Sequence, residues 1–338
     1  MDLIYAGRYT EVCDYKWDDY TQQPANKLDL PSGIWYVDTG SIPEFFSIIT
    51  NMFNRYKKYV VVSPSCDFCV CEQRYNHPAY DFEKWVGLQL TPGHGYNDLH
   101  MAARIDRARC SESHKYSIKC WSYTAATFPE IPNQVVKWFL VNCEVKDERL
   151  IPIPFGIFGN KKQLDNANLI DIRRQLSKER KKLLYCNFQF YTTDRYRIFK
   201  YLKDRFPDRI TFKHECSFDE FLDDLATHKF VLCPTGNGYD CYRTLETIYM
   251  GAIPILEHKM GAVEPYLELA YPFLIMPSLF AIDPVMLDTV YEKIINEWYP
   301  LEEMRVGGPP RQREDRTDLT RALWPYWRDK IEACRSLL

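Results

Sequence analysis

Between residues 180 and 300 the apolar positions switch repeatedly between two spacings, and the switches mark out alternating strands and helices. Short, densely apolar runs predict strands over 181–190 (KKLLYCNFQF), 209–216 (RITFKHEC), 229–236 (KFVLCPTG), 252–258 (AIPILEH) and 272–278 (PFLIMPS). Between them, apolar residues at helical spacing predict helices over 192–206, 217–228, 239–250, 262–270 and 283–298. Strands that are apolar on both faces and joined by single helices form a parallel sheet covered on both sides. Right-handed crossovers then give a doubly wound, Rossmann-like domain.

The first half follows the same theme less regularly. GIWYVDTG (33–40) reads as a strand, SIPEFFSIITNMFNRYK (41–57) as an amphipathic helix and YVVVSPS (59–65) as a buried strand. WVGLQL (85–90), KYSIKCWSY (115–123) and VVKWFLVN (135–142) are further strand candidates. Two long aperiodic stretches, 66–84 and 91–114, intervene, and long loops in compact domains commonly carry function. Pro, Gly, Asn and Lys gather in 149–169, which reads as an interdomain region. The organisation expected is an N-terminal Rossmann-like domain over 1–165, a C-terminal one over 166–310, and a last helical segment over 311–338 packing back on the first. Two such domains side by side leave a cleft at the carboxyl ends of both sheets.

Composition narrows the class. The 338 residues are 46% hydrophobic and 15% aromatic, which excludes disorder as the overall state. Basic residues number 43 against 46 acidic ones, for a net charge of -3. That balance lacks the basic footprint of nucleic-acid binding. No apolar run approaches the ~20 residues needed to span a bilayer, and the start MDLIYAGRYTEV has no basic-then-apolar leader pattern. The expectation is a cytoplasmic protein with no nucleic-acid partner and no membrane insertion. The 12 cysteines then read as free thiols by default. Cys66, Cys69 and Cys71 form one cluster that a zinc ion could use, with Cys110, His114 or Cys120 as fourth ligand, but no second well-spaced pair accompanies them.

The densest chemistry lies in Cys233-Pro-Thr-Gly-Asn-Gly-Tyr-Asp-Cys-Tyr-Arg-Thr-Leu-Glu246 and the following Gly251-Ala-Ile-Pro254. A buried strand ends at Cys233, and Gly236, Asn237 and Gly238 make a tight turn where backbone can approach a ligand. A helix opens near Tyr239 and Asp240, so its free N–H groups and positive end suit a diphosphate. Arg243 in its first turn can pair with phosphate oxygens. Glu246, three residues on, shares that face and can accept from ribose hydroxyls. The alternative is an ordinary surface ion pair followed by a plain αβ turn.

This order of strand, glycine turn, Arg, Glu and Gly-x-Ile-Pro resembles the donor-binding motif of exostosin-like glycosyltransferases. NFQFYTTDRYR (187–197) is similar to the segment that precedes the motif in that family, a likeness that adds Asn187 and Arg195 to the donor-binding candidates, and IPIPFGI (151–157) is similar to its interdomain Pro-x-Gly-Ile. The likeness covers about 150–260. It implies an α/β GT-B fold with two Rossmann-like domains facing across a cleft, a nucleotide-diphosphate sugar donor held by Arg243 and Glu246, and inverting transfer to a hydroxyl of a glycan or glycoprotein acceptor. It also implies no cofactor beyond the donor and no metal. Tyr242 and Thr235 depart from the family pattern, where His and a basic residue are common. With no leader or anchor visible, a bacterial or viral enzyme is expected, in the host cytoplasm if viral.

The catalytic base should then lie in the N-terminal half, at a strand end facing the cleft. Asp98 and His100 in TPGHGYNDLH and Asp38 after the 33–37 run are the first candidates. Asp67, His77 and Asn142 stand behind them, and each of these residue types is otherwise a turn or cap former. Asp18-Asp19 and Asp223-Asp224 could suggest a metal-dependent transferase, but Asp223 and Asp224 fall mid-helix, on what reads as a solvated face. A nucleotide-sugar epimerase of similar fold and a non-catalytic sugar- or nucleotide-binding module are the alternative functions.

Overall fold

The computed structural model describes residues 2–17, 28–64, 129–143, 145–157, 163–175, 179–189, 193–213, 215–235, 239–257, 263–267, 269, 271–296 and 319–338. They build two five-stranded, wholly parallel sheets. The first runs in chain order: β1 (Tyr15–Trp17), β2 (Gly33–Val37), β3 (Tyr59–Ser63), β4 (Val135–Leu140) and β5 (Leu150–Pro152). The second contains β6 (Lys182–Cys186), β7 (Ile210–Phe212), β8 (His228–Leu232), β9 (Ile253–Glu257) and β10 (Leu274–Met276), in the order β7-β6-β8-β9-β10. That second order reverses between β6 and β8, which is the doubly wound pattern. Among the described strands the first sheet shows no such reversal.

Seven α-helices accompany the sheets among the described residues: α1 (Ile42–Ile49), α2 (Gln163–Gln175), α3 (Thr193–Arg205), α4 (Phe218–Thr227), α5 (Tyr242–Tyr249), α6 (Pro284–Asn296) and α7 (Trp324–Glu332). None is long and apolar enough to cross a membrane.

The strands are apolar on both faces because each face meets a different core. Val60 and Val62 enter a middle layer, while Val61 enters an outer one with Trp35, Phe45 and Trp138. On β8, Val231 enters the same middle layer, whereas Phe230 and Leu232 face the other outer layer. The middle layer thus draws from both sheets, and from α2, α4, α5 and α7 between them. Each fully buried aliphatic or aromatic side chain there contributes about 1.5–3 kcal/mol. The chain ends join it too. Trp324 packs edge-on against Tyr9 at 5.3 Å, and its N–H donates to the Asp2 carbonyl at 2.7 Å.

Three local readings change. The 41–57 helix stops at Ile49 because Thr50 and Asn54 turn their side chains back onto the carbonyls of Phe46 and Ile48. Among the described residues of 262–270 there is a 3-10 turn, Glu264–Tyr266, closed by i→i+3 bonds. The 149–169 region carries β5 and the start of α2. Asp224 is not solvated: it is 5% exposed and ion-paired with Lys213 at 2.5 Å. Asp223 meets Arg173 at 3.4 Å. The strand candidates 85–90 and 115–123, with the Cys66 cluster, His77 and Asp18-Asp19, lie outside the described residues.

Gly251 of the Gly-x-Ile-Pro run has a structural reason to be glycine. Its φ is +80°, and a Cβ would sit 2.8 Å from Arg180 Nη2. That guanidinium cannot step aside easily, because it donates to the carbonyls of Leu225 and His228 at 2.7 Å each and to that of Met250. It caps the carboxyl ends of α4 and α5 together. Gly251→Ala should therefore lower unfolding free energy by about 2 kcal/mol, read as a shift in urea midpoint at unchanged slope.

Candidate functional site

In open α/β sheets ligands bind outside the carboxyl ends of the strands where the order reverses. Here that place is bounded by the chain leaving β6, Asn187–Gln189, and the chain leaving β8, Cys233–Thr235. Arg195, in the first turn of α3 and only 6% exposed, clamps the two. Its Nε donates to the Thr235 carbonyl at 2.8 Å, Nη2 to Pro234 at 3.0 Å and Nη1 to Gln189 at 3.2 Å. Three main-chain carbonyls thus occupy a guanidinium that the sequence suggested for ligand binding. Asn187 also turns inward: its amide donates to the Tyr185 hydroxyl at 2.9 Å and to Cys216 Sγ at 3.1 Å.

Helix α5 starts beside this clamp. Asp240, just before it, is 3% exposed, and three donors converge on its carboxyl group. They are the N–H of Phe155 at 2.9 Å, the N–H of Cys241 at 2.7 Å and the hydroxyl of Tyr266, 2.8 Å from both oxygens. Its own N–H donates to Asn142 Oδ1 at 2.8 Å. Asn142 is fully buried at the end of β4 with φ +53°, a left-handed conformation that Asn tolerates better than most residues. The start of α5 is therefore tied to the carboxyl ends of β4 and β5 in the other sheet. Tyr242 adds a stacked ring on Phe155, with centroids 4.4 Å apart and an interplanar angle of 20°.

In the first turn of α5 the pattern breaks. Arg243 Nε is buried and has no hydrogen-bond partner among the described residues. Leaving a buried N–H of a charged group unmade costs on the order of 1–3 kcal/mol or more, so such a group asks for an explanation. The guanidinium lies close enough to Cys186, Cys233 and Cys241 to favour their thiolates, which places it by the ends of β6 and β8. Glu246, three residues further and 3% exposed, lies one turn along α5. The arrangement can present a cation and helix N–H groups to an anion.

The other sequence candidates divide. Tyr239 is buried in the middle core rather than open to a ligand. Asp38 follows β2 directly; its carbonyl accepts from Ser41 N–H at 2.8 Å as a 3-10 turn begins. Gly236, Asn237, Gly238, Asp67, Asp98 and His100 lie outside the described residues. No group of three metal-ligating side chains occurs among the described residues. Two contributors were missed in the sequence: Phe155 gives only a main-chain N–H, which leaves no side-chain signature, and Tyr266 lay in a run read as regular helix.

Asp240 also titrates unusually. Burial, then the neighbouring Cys241, pushes its carboxyl up to about 8, against the hydrogen bonds of Phe155, Tyr266 and Cys241. The native chain keeps this proton where the unfolded chain, with an Asp near 3.9, has released it. Its contribution to stability is therefore full below about pH 4 and declines as pH rises toward 8. Urea midpoints from pH 5 to 8.5 should carry this downward slope, and Asp240→Asn should remove it; an unchanged slope in the variant would assign the titration elsewhere.

Residues 174–268, from the end of α2 through Tyr266, match the family described as the RXYLT1 C-terminal domain. No curated protein matches the chain. The matched segment contains Arg195, Asp240, Arg243 and Glu246, and it supports a glycosyltransferase relationship, coarser than the exostosin-like identity that the motif suggested.

Proposed function

We propose that the chain is a glycosyltransferase of the GT-B type. In this reading it moves a hexose or pentose from a nucleotide-diphosphate donor to a glycan hydroxyl, with inversion and without a metal ion. The buried, unpartnered Nε of Arg243 carries the reading. A donor diphosphate supplies the acceptor oxygens that this group lacks, and bidentate pairing suits a guanidinium better than any other side chain. As the sugar departs, negative charge grows on the diphosphate, and Arg243 together with the positive end of α5 stabilises it without a metal. Because those groups are fixed beforehand by the Asp240 and Arg195 bonds, little reorganisation accompanies the reaction.

Glu246 accepts from the ribose hydroxyls. The acceptor hydroxyl must lose its proton to a base as it attacks the anomeric carbon, and Asp38, Asp98 or His100 fills that role. The family match over 174–268 supports the transferase class.

Arg243→Ala should weaken binding of UDP, GDP or dTDP, whichever the wild type binds in calorimetry, at least ~10-fold, one charge-assisted pair being worth roughly 1.5–3 kcal/mol. The same variant should unfold at an equal or higher denaturant concentration, because an unsatisfied buried donor has been removed. Arg195→Ala should show the opposite balance, losing mainly stability. Unchanged nucleotide affinity in Arg243→Ala overturns the assignment. Free nucleotide diphosphate appearing together with glycosylated acceptor separates transfer from epimerisation, and transfer that persists in excess EDTA checks metal independence.

A further inference from the structure

The turn that joins α1 to β3 carries three large apolar side chains in water. Met52, Phe53 and Tyr56 are 76%, 57% and 81% exposed. Single exposed apolar residues are ordinary, but three within five positions form a patch that calls for a cover. Hydrogen bonds hold the turn in place. Asn54, fully buried at its centre, donates from Nδ2 to the carbonyls of Leu28 at 2.9 Å and Ile48 at 3.0 Å, and its Oδ1 accepts from Leu30 N–H at 3.0 Å. Asn51 donates from Nδ2 to the Leu28 carbonyl at 2.9 Å, and its Oδ1 accepts from Phe53 N–H at 2.9 Å. A backbone fixed by buried polar bonds thus presents the apolar side chains to solvent.

The surroundings of the patch are basic. Residues 45–58 contain no Asp or Glu but include Arg55, Lys57 and Lys58. Lys57 is committed to the fold, ion-paired with Asp29 and donating to the Leu30 carbonyl at 2.7 Å. Lys58 Nζ meets the Asn133 carbonyl at 3.3 Å, and the Arg55 guanidinium lies over the Tyr56 ring, 4.4 Å from its centroid. Neither Arg55 nor Lys58 forms an ion pair among the described residues.

Exposed apolar rings beside unpaired cations complement an anionic bilayer. The rings and the thioether enter the boundary between headgroups and acyl chains, and the cations stay at headgroup level. Tyrosine suits that depth because its ring is apolar and its hydroxyl polar. Two aromatic side chains of about 150–250 Å² each and one methionine fall short of the ~800 Å² per partner of a stable protein interface. The place fits as well. The turn enters β3 at Tyr59, the amino end of a parallel sheet, whereas Asn142 follows the carboxyl end of β4 at the opposite edge. Attachment here leaves the candidate site uncovered.

We propose that the 51–58 turn is a peripheral attachment surface for anionic lipid bilayers, with Met52, Phe53 and Tyr56 entering the headgroup boundary and Arg55 and Lys58 pairing with lipid anions. The contact is shallow and reversible, and no segment of the chain crosses the bilayer. It does not rest on the glycosyltransferase reading.

The test floats the full chain with vesicles of phosphatidylcholine alone or mixed with phosphatidylserine. Each basic side chain near an anionic surface strengthens partitioning roughly fivefold, so the mixed vesicles should bind the chain roughly 25-fold more tightly, and high salt should remove that difference. Arg55→Gln with Lys58→Gln should also remove it. Phe53→Ser with Tyr56→Ser should abolish binding to both vesicles at an unchanged urea midpoint. Val285→Ser, at an exposed apolar position on α6, should bind as the wild type does. Failure of the wild type to float with either vesicle overturns the proposal, as does undiminished flotation of the Phe53/Tyr56 variant. Equal binding to both vesicles overturns the role of the two cations. A chain that ignores vesicles but dimerises in sedimentation, and loses the dimer in the Phe53/Tyr56 variant, assigns the patch to a second copy instead.

Discussion

A single buried carboxyl group holds the working end of this protein together. Asp240 sits at the junction of two sheets, where Phe155 N–H, Cys241 N–H and the Tyr266 hydroxyl all donate to it. A carboxyl in that position would be costly if any of those donors were absent, since burial penalises an unmatched polar group by several kcal/mol. With all of them present, it fixes the direction in which α5 leaves the strand ends. The left-handed backbone of Asn142 is part of the same constraint, because that turn places its Oδ1 on Asp240 N–H. Backbone strain of this kind persists only where surrounding bonds over-determine it.

Three arginines near the second sheet show what the constraint is for. Arg180 spends its donors on the carbonyls that end α4 and α5. Arg195 spends its own on the chain leaving β6 and β8. Both convert a flexible cationic side chain into a main-chain clamp. Arg243, later in the chain than both, retains a buried Nε that none of the described residues satisfies. Two satisfied clamps therefore contrast with one unsatisfied donor. That contrast, rather than the presence of basic residues, sets Arg243 apart from the other two.

Much of the second sheet was legible because its strands are apolar on consecutive positions and its helices keep a clean period. The Ser217–Glu220 capping box is a local signal of the same kind. β1, β5 and α2 were not, for physical reasons. β1 and β5 are three residues long, too short for any period to show. α2 opens in a run rich in Gln, Asn and Asp, so among its described side chains Asn166, Ala167 and Ile170, with Leu169 partly buried beside them, mark its inner face. At the site, Arg243 and Glu246 could be proposed from helix spacing and motif order. The role of Arg195 could not, because its partners are carbonyls whose positions depend on where β6 and β8 end. Asn142 carried a weak signal, an Asn at a strand end, which is where left-handed residues gather. It pointed to a turn, and only the fold shows that the turn serves Asp240.

The shared middle layer explains why the first half matters to a group lodged in the second. Alternate residues of β3 and β4 pack into the same core as Leu245, Ile248 and Tyr249 of α5. Tyr249 goes further: its hydroxyl accepts from Ile4 N–H at 3.0 Å and donates to the Ala322 carbonyl at 2.7 Å. Helix α5 is thus gripped at its start by β4 and β5 and at its end by both chain termini. A close-packed interior transmits small volume changes instead of absorbing them. Substitutions in the first sheet that never approach Arg243 therefore act on it through the tilt of α5, and a ligand drawing Arg243 toward itself must work against Asn142, Phe155 and the chain ends together. Pre-organisation of this kind lowers the ordering cost of binding, which is what the site proposed around Arg243 needs.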